Sequence, residues 1–333
     1  MEGYSAAMDT LRAPLPASPD ARDLIRFATL AANSHNTQAW SFKVAGTTID
    51  ILPDRTRATP VVDPDNHHLF ISLGCAAENL AIAAASRGMP GEVTFEVGTG
   101  EIRFAHTAGS ATDAALSDAI PLRQSTRGMY DGSTLTPAEL TDLDAAVRVP
   151  GVDLILITDR AQMGRIADLI AAANTAQIAD PAFMAELKHW MRFNPRRALD
   201  TGDGLFSATG GNPAMPDWLG PMVLDWLYTA ESENKANAAK IVSSAGLAVF
   251  AGAAADPAHW VQVGRACQRF ALQATAMGLK HAFLNQPVEV ADLRPELAAL
   301  IGMPGRRPDL VMRFGRGALL PYSARRTVDE VTA

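Results

Sequence analysis

Cysteine is almost absent from this chain: Cys75 and Cys267 are the only two in 333 residues. Two cysteines are no disulfide framework, and there is no CxxC pair for a metal or redox site. Positive charge is also scarce, with 29 Lys and Arg against 36 Asp and Glu, for a net charge of −7. A nucleic-acid surface would need strong local clustering of basic residues. No uncharged apolar run approaches membrane-spanning length, and the first residues, "MEGYSAAMDTLRAPLPASPDARD", lack a charged segment followed by an apolar one. The expectation is a soluble chain in a reducing, cytoplasmic setting, with neither nucleic acid nor membrane as partner.

Several signatures of catalysis are missing too. No GxGxxG follows a strand and no GxxxxGK[ST] occurs, so Rossmann and P-loop sites are not supported. There is no GxSxG elbow, and Ser34-His35 are sequence neighbours, which rarely gives nucleophile–base geometry. "DPDNHH" (63–68) offers Asp63, Asp65, His67 and His68. Adjacent histidines do not converge easily on one ion, and a helix start with acidic caps explains the run better than a metal.

What the chain does have is 48% hydrophobic residues, enough for a substantial core. After a Pro/Ala-rich leader (1–19), Ser18 or Asp20 can cap a helix whose apolar face is Leu24, Ile25, Phe27, Ala28 and Ala31. Strands are expected at 40–44 and 48–53, a long small-residue helix at 69–87, and strands at 93–97 and 101–106. A second group follows: helix 136–147, strand 153–158, helices 160–178 and 181–191, helix 221–241, strand 247–252, helices 257–277 and 291–301, and strand 309–315. Between them, residues 193–220 are rich in loop chemistry, as long connections with a function often are.

"LGCAAENLAIAAASRGM" (73–89) aligns without gaps on "VGRACQRFALQATAMGL" (263–279), with Gly74 on Gly264 and Gly88 on Gly278. Such an echo suggests a duplicated unit, a dimer fused into one chain. Two basic knots stand out in this acidic chain, "RQSTRG" (123–128) and "SARRT" (323–327). Both are too short to follow a duplex and big enough to hold a phosphate through charge-assisted bonds from guanidiniums and hydroxyls; a solvated turn for the first and a basic tail for the second are the plain alternatives. "ANSHNTQAW" (32–40) gathers neutral hydrogen-bonding groups at the start of a strand.

Together these segments resemble the nitroreductase family of FMN-dependent oxidoreductases. "ANSHNTQAW" resembles the family's P-S-S-x-N-x-Q-P-W motif, "RQSTRG" its R-x-S-x-R phosphate motif, 263–279 its long central helix, and "PYSARRTVDEV" (321–331) its closing segment. The resemblance covers about residues 20–331. The duplication and the 193–220 segment point to the two-repeat, Acg-like branch. Ala32-Asn33 replaces the usual Pro-Ser, and Ala39 replaces the Pro before Trp40, which relaxes the backbone there.

The resemblance implies an α+β fold with a mixed, largely antiparallel sheet in each half, residues 20–120 and 121–333, and a lid near 193–220. One chain would mimic the family's homodimer and build one FMN site, since each half keeps motifs that the other lacks. Further self-association is left open. Ser34, His35 and Asn36, with Gln38, would hold the ribityl chain and phosphate from one side. Arg123, Ser125 and Arg325 would neutralise the phosphate, with Gln124 facing the ring's polar edge and Arg127, Ser323 and Arg326 in support. Asn285 and Gln286 would face the flavin's redox edge. The chemistry implied is two-step reduction of nitro compounds, quinones or similar small acceptors by NAD(P)H, with no side-chain triad. A flavin-sequestering protein is the alternative. Gly202, Gly204, Gly210 and Gly211 would let the lid open as a gate, whereas Phe206 and Trp218 would plug the pocket.

Overall fold

The computed structural model describes residues 1–333 and opens with a helix, α1 (Glu2–Leu11), inside the segment read as leader. Tyr4 and Met8 lie one turn apart on its inner face and bury themselves against Phe206, Ala208 and Ala324. α2 (Ala21–Thr29) starts at Asp20, which accepts from the Asp23 amide while Asp23 reaches back to the Asp20 amide.

The first sheet contains β1 (Trp40–Ala45), β2 (Thr48–Pro53), β3 (Gly91–Glu96) and β4 (Glu101–His106), in the order β1-β2-β4-β3 and antiparallel throughout. α3 (His67–Ala85) connects its second and third strands. Two helices then lead away from it, α4 (Ala114–Ala119) and α5 (Pro137–Ala146). The second sheet contains β5 (Val152–Ile157), β8 (Gly246–Gly252), β9 (Lys280–Phe283) and β10 (Leu310–Gly315), in the order β5-β8-β10-β9 and again antiparallel. α11 (Pro257–Ala276) connects its second and third strands. First strand, second, fourth, third, with the helix between second and third: the two sheets share one topology.

They differ in what joins their first two strands. In the first sheet it is a tight turn at Gly46. In the second it is an insert of five helices and two short strands. These are α6 (Arg160–Ala179), α7 (Pro181–Trp190), β6 (Met191–Arg192), α8 (Pro195–Thr201), β7 (Leu205–Phe206), α9 (Gly220–Leu227) and α10 (Ala230–Val242). The expected helix 221–241 is broken at Tyr228, because Thr229 caps a new start with Ser232. The chain finishes with α12 (Gln286–Glu289), α13 (Arg294–Leu300) and α14 (Val328–Val331). The last residues return to the first sheet, where Thr332 bridges Phe42.

α3 and α11 cross at the centre of the main core. By length and composition α3 could span a membrane, but 94% of its apolar window is buried inside the protein. A Cβ on Gly74 would stand 2.1 Å from the Val261 carbonyl oxygen, so only glycine allows the crossing. Polar groups at this interface are paired. Gln268 Nε2 donates to Asn79 Oδ1 at 2.7 Å, and Glu78 accepts from Arg265 and Arg269, both at 2.7 Å. A buried carboxylate held by two guanidiniums avoids an uncompensated charge.

Candidate cofactor cleft

The "ANSHNTQAW" loop runs from the end of α2 into β1, and its backbone is unusual. His35, Asn36 and Gln38 all have positive φ, at 46°, 54° and 54°. Non-glycine residues pay for such conformations and hold them only where their surroundings over-determine the loop. Here they do. Asn33 Oδ1 accepts from the Gln38 amide, and Ser72 Oγ on α3 accepts from the Ser34 amide. Asn36 Nδ2 donates to the carbonyls of Gly204 and Ala324, both at 3.1 Å, and Gln38 Nε2 donates to the Gly202 carbonyl at 2.8 Å.

Two adjoining cavities open beside this loop, sharing Ala32, Asn33, Arg127 and Leu205 as walls. The smaller, about 40 Å³, is cationic and receives Arg12, Arg123, Arg127 and Arg325 together with Ser125 and Ser323. None of these arginines pairs with a carboxylate, although Arg57, Arg192, Arg265 and Arg269 elsewhere do. Burial lowers the guanidinium of Arg123, and it brings Arg12 down to about 9 with help from neighbouring Arg123. Such a concentration of desolvated positive charge favours an anion among the arginines.

The four arginines are not equivalent. Arg325 uses its whole fork on backbone, donating to the carbonyls of Thr29, Leu30, Ala31, Ser323 and Ala324. It thereby caps the C-terminus of α2. Arg123 gives one bond to the Leu30 carbonyl at 2.8 Å, leaving its Nε and Nη1 buried without a partner. Arg12 Nε is likewise unpaired. Arg127 donates to no protein atom and stands where the two cavities meet. The hydroxyls of Ser125 and Ser323 are also unengaged. Orphaned buried donors of this kind mark a place for a ligand's acceptors.

The larger cavity, about 240 Å³, has a different character. Ser34, His35, Asn285 and Gln286 reach it, as do His68, Ser72 and Glu289. Burial holds His35 down at about 4, with Arg127 and His68 adding to the effect, and holds His68 at about 3. Both imidazoles are therefore neutral near pH 7. Asn285 Oδ1 accepts from the Val311 amide at 2.9 Å, and Gln286 Oε1 is buried without a donor. The insert supplies the outer wall with Phe183, Leu187, Leu205 and Tyr228.

Eleven of the thirteen residues singled out in the sequence line one cavity or the other. Gln38 and Arg326 do not. Gln38 ties the Gly202 carbonyl to the Arg326 amide, and the Arg326 guanidinium turns to the Glu330 carbonyl. Gln124 lies at the cationic end rather than beside a ring edge, and both ends of its amide are taken by the backbone of Leu320. Phe206 and Trp218 do not plug the cleft: Phe206 stacks on Tyr4 at 4.9 Å, and Trp218 is 72% exposed. Asp63, His67 and Asp65 go separate ways, to the start of α3, to Asp309 and to Arg307.

Arg12 was hidden in the supposed leader, though the Tyr4–Met8–Leu11 spacing signals a helix that would deliver it. Asn174, Gln177, Tyr228 and Glu289 carry no motif and reach the cleft only through the packing of the insert and α12.

No family model matches this chain. Two proteins of Mycobacterium tuberculosis match it over nearly its whole length. "Putative NAD(P)H nitroreductase Rv3131" is 24% identical, covering 98% of this chain and 94% of its own. "Putative NAD(P)H nitroreductase acg" is 22% identical, covering 93% and 94%. Over nearly its whole length the chain is similar to proteins named as nitroreductases. Among solved structures, the FMN-dependent nitroreductase NfnB of Mycobacterium smegmatis in complex with NADPH is similar at a TM-score of 0.44 and 13% identity, over 66% of this chain and 97% of that one. A nitroreductase with bound FMN from Desulfitobacterium hafniense gives 0.42 and 16%, with the same coverages. The fold is α+β and made of two like sheets.

Proposed function

We propose that the protein is an FMN-binding oxidoreductase that takes electrons from NAD(P)H and passes them to nitro compounds, quinones or similar small acceptors in the cytoplasm. The observation that carries this reading is the unpaired Arg123 and Arg127 at one end of a cleft whose other end is uncharged and partly apolar. A phosphate at one end and a flat, polar-edged ring at the other meet those two demands. Arg123, Arg127 and Arg12, with the hydroxyls of Ser125 and Ser323, would hold the phosphate. Ser34 and His35 would flank the middle, and Asn285 and Gln286 would orient the ring. Bound FMN would supply two-electron transfer, which the side chains here do not.

The like sheets and the α3–α11 crossing support reading the chain as a fused pair with one flavin site. α2, the "ANSHNTQAW" loop and α3 come from one half, and the R-x-S segment and α12 from the other.

A second reading is favoured by the insert, whose Phe183, Leu187, Leu205 and Tyr228 wall the ring end: a protein that sequesters FMN and turns over slowly. The deciding experiment is the visible spectrum of freshly purified protein, followed anaerobically with NADH or NADPH. A flavin band that bleaches within seconds supports the reductase. A band that yields only to dithionite supports sequestration. No band after incubation with FMN refutes both.

A further inference from the structure

Glu289 is a carboxyl group in the wall of the larger cavity, where no motif would have placed one. It ends α12, which packs on α6 of the insert. Gln177 on α6 donates Nε2 to Glu289 Oε2 at 2.6 Å. The other oxygen, Oε1, stands 3.7 Å from His68 Nε2, beyond hydrogen-bonding distance, and has no other polar partner.

The cavity's one cation, Arg127, stands where it meets the smaller cavity and makes no ion pair with this group. His68, on α3, is neutral for the reasons given above. Asp63, before α3, and Glu186, on α7, face it with the same sign of charge. Tyr228, before α10, contributes a phenol whose hydroxyl bonds to nothing in the protein. Arg294, on α13, turns its Nε to the Val288 carbonyl at 2.6 Å. Asn174 and Gln177 are the only residues that α6 brings to this wall, and both are neutral amides. Burial favours the protonated acid, and its carboxyl lies above the usual range.

We propose that Glu289, positioned by Gln177, is a specificity residue that donates a hydrogen bond from Oε1 to an oxygen of a flat, uncharged acceptor in the larger cavity. Tyr228 offers a second donor on the same side. Phe183, Leu187 and Leu205 supply apolar wall for an aromatic body. The ligand class that follows is a neutral aromatic or quinonoid molecule bearing a nitro or carbonyl oxygen. The inference deepens the proposed reductase and rests on that reading for the ligand's role as electron acceptor. The binding claim concerns only residues of this chain.

The test is calorimetric titration of 4-nitrobenzamide into the protein as purified, between about pH 6 and 9, for wild type, Glu289→Gln and Glu289→Ala. Wild-type affinity should fall as pH rises, because ionised Glu289 can no longer donate. Glu289→Gln keeps a donor, so it should bind with a flat pH profile. Glu289→Ala should lose about tenfold in affinity at the low end of the range. A flat wild-type profile, or the same fall in Glu289→Gln, overturns the proposal. The wild-type profile needs no variant to fold, and flavin absorbance in each sample reports the cofactor site separately. A protein that takes up no FMN yet shows the Glu289-dependent profile would sink the reductase reading and leave this one standing.

Discussion

Gly74 and Gly264 occupy equivalent places in the crossing of the two central helices: each presses on the backbone carbonyl that the other's partner supplies. A Cβ on Gly74 would meet the Val261 oxygen at 2.1 Å, and one on Gly264 would meet the Ile71 oxygen at 2.0 Å. Ile71 and Val261 are themselves matched in the ungapped alignment of the two helices. The polar pairs repeat this reciprocity. Glu78 bonds Arg269 while Asn79 bonds Gln268, and the alignment matches Glu78 with Gln268 and Asn79 with Arg269. Contacts that return on themselves in this way make the crossing of the two helices nearly two-fold symmetric.

Gly74→Ala and Gly264→Ala should each destabilise the protein by about 1–3 kcal/mol, since a methyl group must displace main chain rather than a flexible side chain. Gly164→Ala on α6 is the control, for nothing lies within 4 Å of its would-be Cβ. It should be neutral or slightly stabilising. Urea denaturation of the three variants is the check, and equal losses would contradict the packing account.

The unpaired donors of Arg123 predict a phosphate-specific loss of affinity. Each charge-assisted bond forgone costs about 1.5–3 kcal/mol, so Arg123→Ala should weaken FMN binding by at least about tenfold. Riboflavin, which lacks the phosphate, should bind the variant and the wild type alike. Flavin fluorescence quenching measures both, and an equal loss for the two flavins would move Arg123 away from the phosphate.

Arg325 should behave differently. Its fork is spent on carbonyls of the α2 terminus and its own segment, so Arg325→Lys keeps a charge but abandons most of those acceptors. The expected result is a lowered melting temperature for both apo-protein and holoprotein, with a smaller change in FMN affinity than Arg123→Ala produces. A normal melting temperature with lost flavin would restore Arg325 to the phosphate.

Asp309 carries a pH signature. Burial raises its carboxyl to about 6, where it bonds His67 Nε2 at 2.8 Å and the Gly252 amide at 2.6 Å. Because the folded value exceeds the unfolded one, the folded state holds the proton longer. Its contribution is fully present at low pH and is lost as pH rises from about 4 to 6. Two units correspond to about 3 kcal/mol. Asp309→Asn should show a flatter stability curve than wild type across that window in denaturant titrations at fixed pH. An unchanged slope would rule Asp309 out as its source.

Gln38 gives the last expectation. Gln38→Ala leaves the Gly202 carbonyl and the Arg326 amide without partners, at a cost of about 1–3 kcal/mol. It should also expose the insert near residues 202–204 to limited proteolysis, while FMN affinity changes little.

Most of the fold was legible because it depends on local pattern. Alternation over 40–44, the unbroken apolar run 247–252, the cap at Asp20 and the glycine spacing of the two long helices all speak before any packing is known. The candidate site was legible where charge stands out against an acidic background, as at Arg123 and Arg127. It was not legible where a residue's role depends on what meets it. Gln38 and Asn285 look alike in a list of amides, yet one ties down the insert and the other reaches the cleft.

The sequence by itself determined the two-sheet α+β layout, the paired central helices and the gathering of basic residues for an anion, because periodicity, capping and charge are properties of short segments. Only the tertiary structure decided that α1 delivers Arg12, that Arg325 caps a helix, and that Glu289 faces the cleft. Those outcomes depend on long-range packing. A guanidinium or carboxyl group bonds to whatever the fold brings within about 3 Å, and no stretch of sequence records that distance.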